Sequence, residues 1–191
     1  MFDLVIVAST EYGRYPDDIF DRIWTPSYGI GLSEVKSEAS GINTSTAEDH
    51  PPEGALENAI TSSSTTQSMQ FINRLPTKEL PIYITAYFSE VNESAVGQRS
   101  IQMYIDNKPF LSPIVPPFGS VKEVYITNIT ASANTSFLLQ ASDTSTLPPV
   151  LNALEVYTLS DALTAGTDSR DGKFVMLLSK YVYVSYREHI I

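Results

Sequence analysis

Pro81-Ile-Tyr-Ile-Thr-Ala-Tyr-Phe-Ser-Glu90 decides the fold class. Ile82, Ile84, Ala86 and Phe88 fall on one face and Tyr83, Thr85 and Tyr87 on the other, a period of two with β-branched and aromatic residues on both sides. The same alternation continues outward along the chain. Arg99–Asp106 repeats it with Ile101, Met103 and Ile105, and Asp106-Asn107-Lys108-Pro109 supplies turn residues that close the strand. Lys122–Ile129 and Asn134–Ala141 form two further strands across a short polar link, and Ala153–Leu159 is a last one. Helix signals reduce to one turn at Asp18–Ile23 and a capped stub at Ser160–Leu163. Short strands at close intervals without amphipathic helices predict an all-β fold, an antiparallel β-sandwich of jelly-roll type. Its inward faces carry Ile82, Ile84, Phe88, Ile101, Met103 and Leu138. Ser33–Glu53 reads as an irregular excursion and Ser62–Gln67 as a surface run.

The chain has 191 residues, enough for one domain with a core of its own. Twelve basic against 22 acidic residues give a net charge of −10, a surface that repels phosphate and excludes nucleic acid as a partner. There is no cysteine, which removes disulfides, thiolate metal sites and a cysteine nucleophile together. Phe2–Ala8 is apolar but holds Asp3 and lacks a basic start, so it makes a poor signal peptide. Phe174–Tyr186 is too short to span a bilayer and contains Lys180. Membrane attachment would then come only through segments missing from this chain. Four of the eight asparagines, Asn43, Asn92, Asn128 and Asn134, head N-x-S/T sequons in turn-like or strand-edge sequence. That density favours a secretory history with these four as glycosylation sites.

No constellation for catalysis stands out. His50 precedes two prolines in polar sequence and His189 lies near the end; neither has a nucleophile beside it, and no G-x-S-x-G elbow occurs. Gly29-Ile30-Gly31 lacks the third glycine of a dinucleotide fingerprint. Asp17, Asp18 and Asp21 have the oxygen ligands calcium prefers, but Arg14 and Arg22 bracket them. The simpler reading is a structural motif in which these acids pair with the arginines while Trp24 anchors the turn. No catalytic residue, metal ligand or cofactor is therefore assigned. Tyr28 and Phe118 are the loop aromatics best suited to ligand binding, because an aromatic face stacks on a sugar ring.

Five stretches, taken together and in order, resemble one family. Arg14-Tyr-Pro-Asp-Asp-Ile-Phe-Asp-Arg-Ile-Trp24 is similar to the R-Y-P-D-D-x-x-D-R-I-W signature of malectin-like domains in plant leucine-rich-repeat receptor kinases. Pro52–Thr61, Tyr83–Val91 (with Tyr87 where many members carry His) and Arg99–Asp106 resemble the segments that follow. Ser145-Thr-Leu-Pro-Pro-Val-Leu-Asn-Ala-Leu-Glu-Val-Tyr157 is close to the family's S-x-L-P-P-x-L-N-A-x-E-x-Y ending.

The resemblance implies a galactose-binding-like, malectin-like jelly roll, the second of a tandem pair. It divides the chain into an atypical segment at 1–13, the malectin-like domain at 14–168 and a divergent tail at 169–191. It also implies an extracellular module of a receptor-like kinase, binding carbohydrate or peptide and open to a co-receptor, at the outer face of the plasma membrane. The membrane span and kinase would lie elsewhere. Two alternatives stand beside it: a glycosidase-like enzyme using two carboxylates, and a non-functional product of a truncated gene model. From about residue 172 the tail leaves the family pattern. Gly172-Lys-Phe-Val175 is encodable by a sequence containing a splice donor, so the tail reads as a retained intron, with a genuine extra strand as the alternative because Val175–Tyr186 has acceptable β composition.

Overall fold

A computed structural model describes residues 3–7, 18, 20, 22–26, 31–72 and 75–159. Twelve strands follow in order: β1 (Asp3–Val7), β2 (Thr25–Pro26), β3 (Ser33–Lys36), β4 (Asn58–Thr61), β5 (Met69–Ile72), β6 (Leu80–Phe88), β7 (Ile101–Ile105), β8 (Lys108–Ile114), β9 (Lys122–Ala131), β10 (Phe137–Ala141), β11 (Val150–Leu151) and β12 (Ala153–Thr158). Two 3₁₀ turns, Glu53–Ala55 and Glu93–Ala95, are the only helical elements among the described residues. The strands form sheets of order β2-β1-β12-β6-β9, β5-β10-β7-β8 and β11-β4-β3. All ladders are antiparallel except the short β1–β2 pair, so the fold is the antiparallel β-sandwich.

The main core lies between the five- and four-stranded sheets. Ile82, Ile84, Ala86 and Phe88 of β6 meet Ile101 and Met103 of β7, Phe137 and Leu139 of β10, and Leu154 and Val156 of β12. Removing each of the larger side chains from water stabilises the fold by about 1.5–3 kcal/mol. Leu138 is the exception to the expected core: it is only half-buried, while Phe137 and Leu139 point inward. Three consecutive apolar residues leave the parity of this strand open, and a one-residue slip exchanges the faces. The register is set by a bulge against β5 and by the edge-on packing of Phe137 on Phe71, with centroids 5.9 Å apart at 72°.

The other face of β6 is covered too. Tyr83, Thr85 and Tyr87 are all buried. A second cluster of Trp24, Ile42, Ala47, Ala55, Leu56 and Val121 packs over Tyr87 and Ala153. Much of Ser33–Glu53 is thus a cover for the five-stranded sheet, and its first residues are a strand, since Ser33–Lys36 pairs with β4 where an irregular segment was expected. Charged residues at Glu34 and Lys36 hid the strand, because three of its four side chains are exposed.

Two further expectations are corrected. Asp106 and Asn107, at φ 48° and 61°, form the whole turn, and Lys108 and Pro109 already belong to β8, with Lys108 opposite Ile105. A two-residue hairpin loop with both φ positive matches the strand twist, and Asp and Asn tolerate that conformation best after glycine. The segment 1–13 was set apart from the domain, but Asp3–Val7 lies inside the sheet, antiparallel to β12 from Asp3↔Tyr157 to Val7↔Ala153. A strand with β6 on one side leaves its other backbone edge to be paired, and β1 pairs it. The turn expected at Asp18–Ile23 falls partly outside the described residues. The stub at Ser160–Leu163 and the tail 169–191 fall wholly outside them.

Candidate functional site

The charged residues inside these apolar sheets form two buried clusters. In the first, the Asp18 carboxylate accepts the Phe20 backbone N–H at 2.8 Å and the Trp24 indole N–H, and pairs with Arg22 Nε at 2.8 Å. Arg22 Nη1 donates to Glu155 Oε1 at 2.7 Å and Nη2 to the His50 carbonyl at 2.9 Å. Tyr87 donates its hydroxyl to Glu155 Oε1 at 2.6 Å, and the Tyr157 hydroxyl donates to Oε2. Asp18, Arg22 and Glu155 are 0%, 7% and 2% exposed, so every oxygen of the two acids is spent within the protein. Arg22 also lies 4.9 Å from the centroid of Trp24 and 5.2 Å from that of Phe20, and Trp24 meets Tyr87 edge-on at 6.1 Å. Arginine suits the position because its planar fork reaches several acceptors at once while its face stacks on rings.

The electrostatics follow from the geometry. Burial raises the Glu155 carboxyl above its ordinary range, opposed by the Arg22 charge and the hydroxyls of Tyr157 and Tyr87. Burial acts to lower Arg22, but Glu155 and Asp18 override it, and the guanidinium is held more firmly protonated than usual. The Tyr87 hydroxyl is pushed up by burial and by Glu155, so it remains a neutral donor. Asp49, which accepts the Thr85 hydroxyl at 3.2 Å, is raised by burial.

The second cluster ties the strand ends together. Arg99 forks onto Glu90, Nε to Oε2 at 2.8 Å and Nη2 to Oε1 at 3.2 Å, and its Nη1 donates to the Pro148 carbonyl. Glu90 Oε1 also accepts the backbone N–H groups of Val91 and Asn92. Asn152 accepts the Ser89 N–H at 2.7 Å and donates to the Leu56 and Asn58 carbonyls at 3.0 and 3.1 Å. These bonds account for Pro148, Asn152, Glu155 and Tyr157 of the Ser145–Tyr157 ending as parts of the frame. Sequence reasoning passed over Glu90, Arg99, Asn152 and Glu155. Their signal was a charge or amide inside or beside a strongly apolar strand, since such groups are buried only with partners.

Of the residues singled out from sequence, Arg14, Asp17, Asp21 and Tyr28 lie outside the described residues. Phe118 is half-buried in a segment held by parallel bridges on both sides, Glu90↔Phe118 and Asn43↔Ser120, with Gly119 at φ 67° making the bend. Glu90 N–H donates to the Pro117 carbonyl at 2.8 Å and Asn43 N–H to that of Gly119 at 2.9 Å. Asn43 itself, and Glu90 two residues before the sequon at Asn92, therefore border the Phe118 segment. Each closes on itself: Asn43 Oδ1 accepts from Ser45 N and Oγ at 3.0 and 2.7 Å, and Asn92 Oδ1 from Ser94 N and Oγ at 2.8 and 2.6 Å. Asn43, Asn128 and Asn134 are exposed and Asn92 is half-exposed. Among the described residues no group of three or more His, Asp or Glu side chains is placed to hold a metal ion.

Comparison with known proteins places this frame. An Arabidopsis thaliana protein, At1g24485, is 33% identical over 165 residues, spanning 85% of this chain and 32% of its own length. The probable leucine-rich-repeat receptor-like serine/threonine-protein kinase At5g59680 of the same plant is 33% identical over 153 residues, 75% of this chain and 16% of the kinase. The chain thus spans a third or less of the length of these relatives. Among solved structures, the Arabidopsis ANXUR1 extracellular domain superposes with a TM-score of 0.65 at 16% identity, over 84% of this chain and 48% of that one. The complex of the plant peptide RALF23 with FER and LLG2 gives 0.59 at 13%, over 85% and 49%. The profile of the malectin-like domain matches residues 3–159, and the chain belongs to the malectin-like domain family.

Proposed function

We propose that the chain is the ligand-recognition module of a receptor-like kinase ectodomain, working outside the cell and without catalytic activity of its own. One observation carries the reading: five charged residues of the family motifs are buried and mutually paired, in Asp18–Arg22–Glu155 and Glu90–Arg99, which leaves recognition to the loops. The same burial weighs against a glycosidase built on these carboxylates, because a general acid must reach the substrate oxygen. Family membership points the same way, to a non-enzymatic binding module.

The ligand is a carbohydrate or a peptide, and Phe118, with Tyr28, is the assigned contact. A cationic peptide is favoured by the net charge of −10, which attracts a basic partner and gives a neutral sugar no advantage. The fold relative crystallised with the peptide RALF23 and with LLG2 supports a peptide and leaves room for a co-receptor. Asn43, Asn92, Asn128 and Asn134 are the glycan acceptors of the secreted form, and Asp18, Arg22 and Trp24 belong to the scaffold. The division at residue 168 and the intron origin of the tail stand as parts of the same proposal.

Surface-immobilised chain, secreted from a plant host, is titrated with a panel of basic peptides and with neutral cell-wall oligosaccharides at two salt concentrations. Peptide binding that weakens with salt and falls at least tenfold in Phe118→Ala is expected. Salt-independent oligosaccharide binding would assign the ligand to the sugar class. Binding of either ligand unchanged by Phe118→Ala would remove that residue from the site.

A further inference from the structure

The edges of the sheets are unequally protected. An unpaired strand edge is a template for another strand, and proteins blunt it by keeping it short, by proline, by charge or by a bulge. Edge strand β2 has two residues, β11 two, β3 four and β5 four. Edge strand β8 is longer, at seven residues, but it begins with Lys108, carries Pro109 and Pro113, and has a bulge against β7. The edge β9 is ten residues long, and among the described residues it is the outermost strand of its sheet. Its stretch Val124-Tyr-Ile-Thr-Asn-Ile-Thr-Ala131 contains no charge and no proline. Uncharged, β-prone segments of this kind are what self-pairing selects.

In the middle of that stretch sits Asn128, exposed, at φ 58°. Ile129 pairs with Ile82 and Ile126 with Ile84, so Thr127 and Asn128 together stand opposite Tyr83 in a bulge. This bulge holds Asn128 in the left-handed conformation, which asparagine adopts at less cost than most residues with a side chain. Asn128-Ile129-Thr130 is also a sequon, with Thr130 exposed. The longest edge, which from Val124 onward has neither charge nor proline to guard it, thus carries a glycan acceptor at its bulge.

We propose that Asn128 bears an N-linked glycan that closes the β9 edge against strand pairing by a second copy of this chain. The inference rests on the secretory placement proposed above. A bulky hydrophilic oligosaccharide on the bulge keeps a second chain from approaching the backbone groups of β9, a task that Pro109 and Pro113 perform on β8.

The test uses the full chain secreted from a glycosylating host, with occupancy of each sequon read by peptide mass mapping and molar mass by light scattering. Thr130→Ala removes the sequon and keeps Asn128 in the bulge. Thr130→Lys removes it and adds an edge charge. Ser45→Ala removes the sequon at Asn43 as a control. The expected result is a glycan at Asn128, a monomer for the natural chain, Ser45→Ala and Thr130→Lys, and at least a doubling of mass for Thr130→Ala at equal concentration. Thr130→Ala that stays monomeric overturns the proposal, as does an unoccupied Asn128 when other sequons are occupied. Occupancy at no sequon would overturn the secretory placement and this inference with it.

Discussion

Asn152→Ala tests whether the Ser145–Tyr157 motif is frame or site. The side chain is buried and makes three hydrogen bonds, to Ser89 N–H, Leu56 carbonyl and Asn58 carbonyl. Truncation leaves the Ser89 N–H, in a residue with no exposure, without this acceptor, at a cost of about 1–3 kcal/mol. The two carbonyls each lose a neutral bond worth about 0.5–1.5 kcal/mol but keep a second lone pair. Together these ranges span about 2–6 kcal/mol, and a central loss of about 3–4 kcal/mol is a large part of the 5–15 kcal/mol typical of a domain. With a urea m-value of roughly 2 kcal/mol/M the unfolding midpoint should fall by about 1.5–2 M. Asn152→Asp keeps the acceptor for Ser89 but brings a carboxylate oxygen against two carbonyls. It should cost at least as much at neutral pH and recover as acid protonates it, because the folded state holds that proton more tightly than the unfolded chain. A midpoint shift below 0.5 M for Asn152→Ala, at unchanged m, would refute the reasoning and make the motif available as a binding surface.

Arg22→Met leaves Asp18 and Glu155 buried without their counter-charge and should destabilise by about 3–5 kcal/mol. Trp24 is the only tryptophan and stacks on Arg22, so its emission should shift to the red before global unfolding, and an unshifted spectrum would count against the contact. The raised pKa of Asp49 gives a stability contribution fully present below 3.8 and lost as pH rises through the higher folded value. Asp49→Asn should therefore match the natural chain in melting temperature in strong acid and exceed it toward neutral pH; equal melting across the range would reject the sign.

The sandwich was legible because its strands announce themselves. Pro81–Glu90 and Ala153–Leu159 alternate without interruption, and period two fixes a strand whatever surrounds it. Parity was not legible in Phe137-Leu-Leu139, where the choice rests on Phe71, more than sixty residues away. The strand Ser33–Lys36 was hidden by its exposed charges, and Asp3–Val7 by being judged only as a leader. The charge pairing at Asp18 and Arg22 could be read from local spacing, whereas Glu155 as their third partner could not, since 133 residues separate it from Arg22. Phe118 stood out as a loop aromatic, but what holds its loop, the backbone of Glu90 and Asn43, carries no side-chain signature.

The pairing of β1 with β12 bears on how the domain comes to be made. The first of the described strands has its antiparallel neighbour in the last of them, and β12 in turn separates it from β6. During synthesis the β6–β9 pair can zip as soon as Ala131 has emerged, but the sheet stays open on its other side until Thr158 follows. Until then Ile82, Ile84 and Phe88 lack Leu154 and Val156, and Arg22 lacks Glu155. Contacts that distant in sequence form slowly, and an open β6 edge is a sticky one while it waits. A nascent chain stalled anywhere short of residue 153 should therefore be held by chaperones and cut by proteases along its whole length, while one released past residue 159 becomes resistant in a single step.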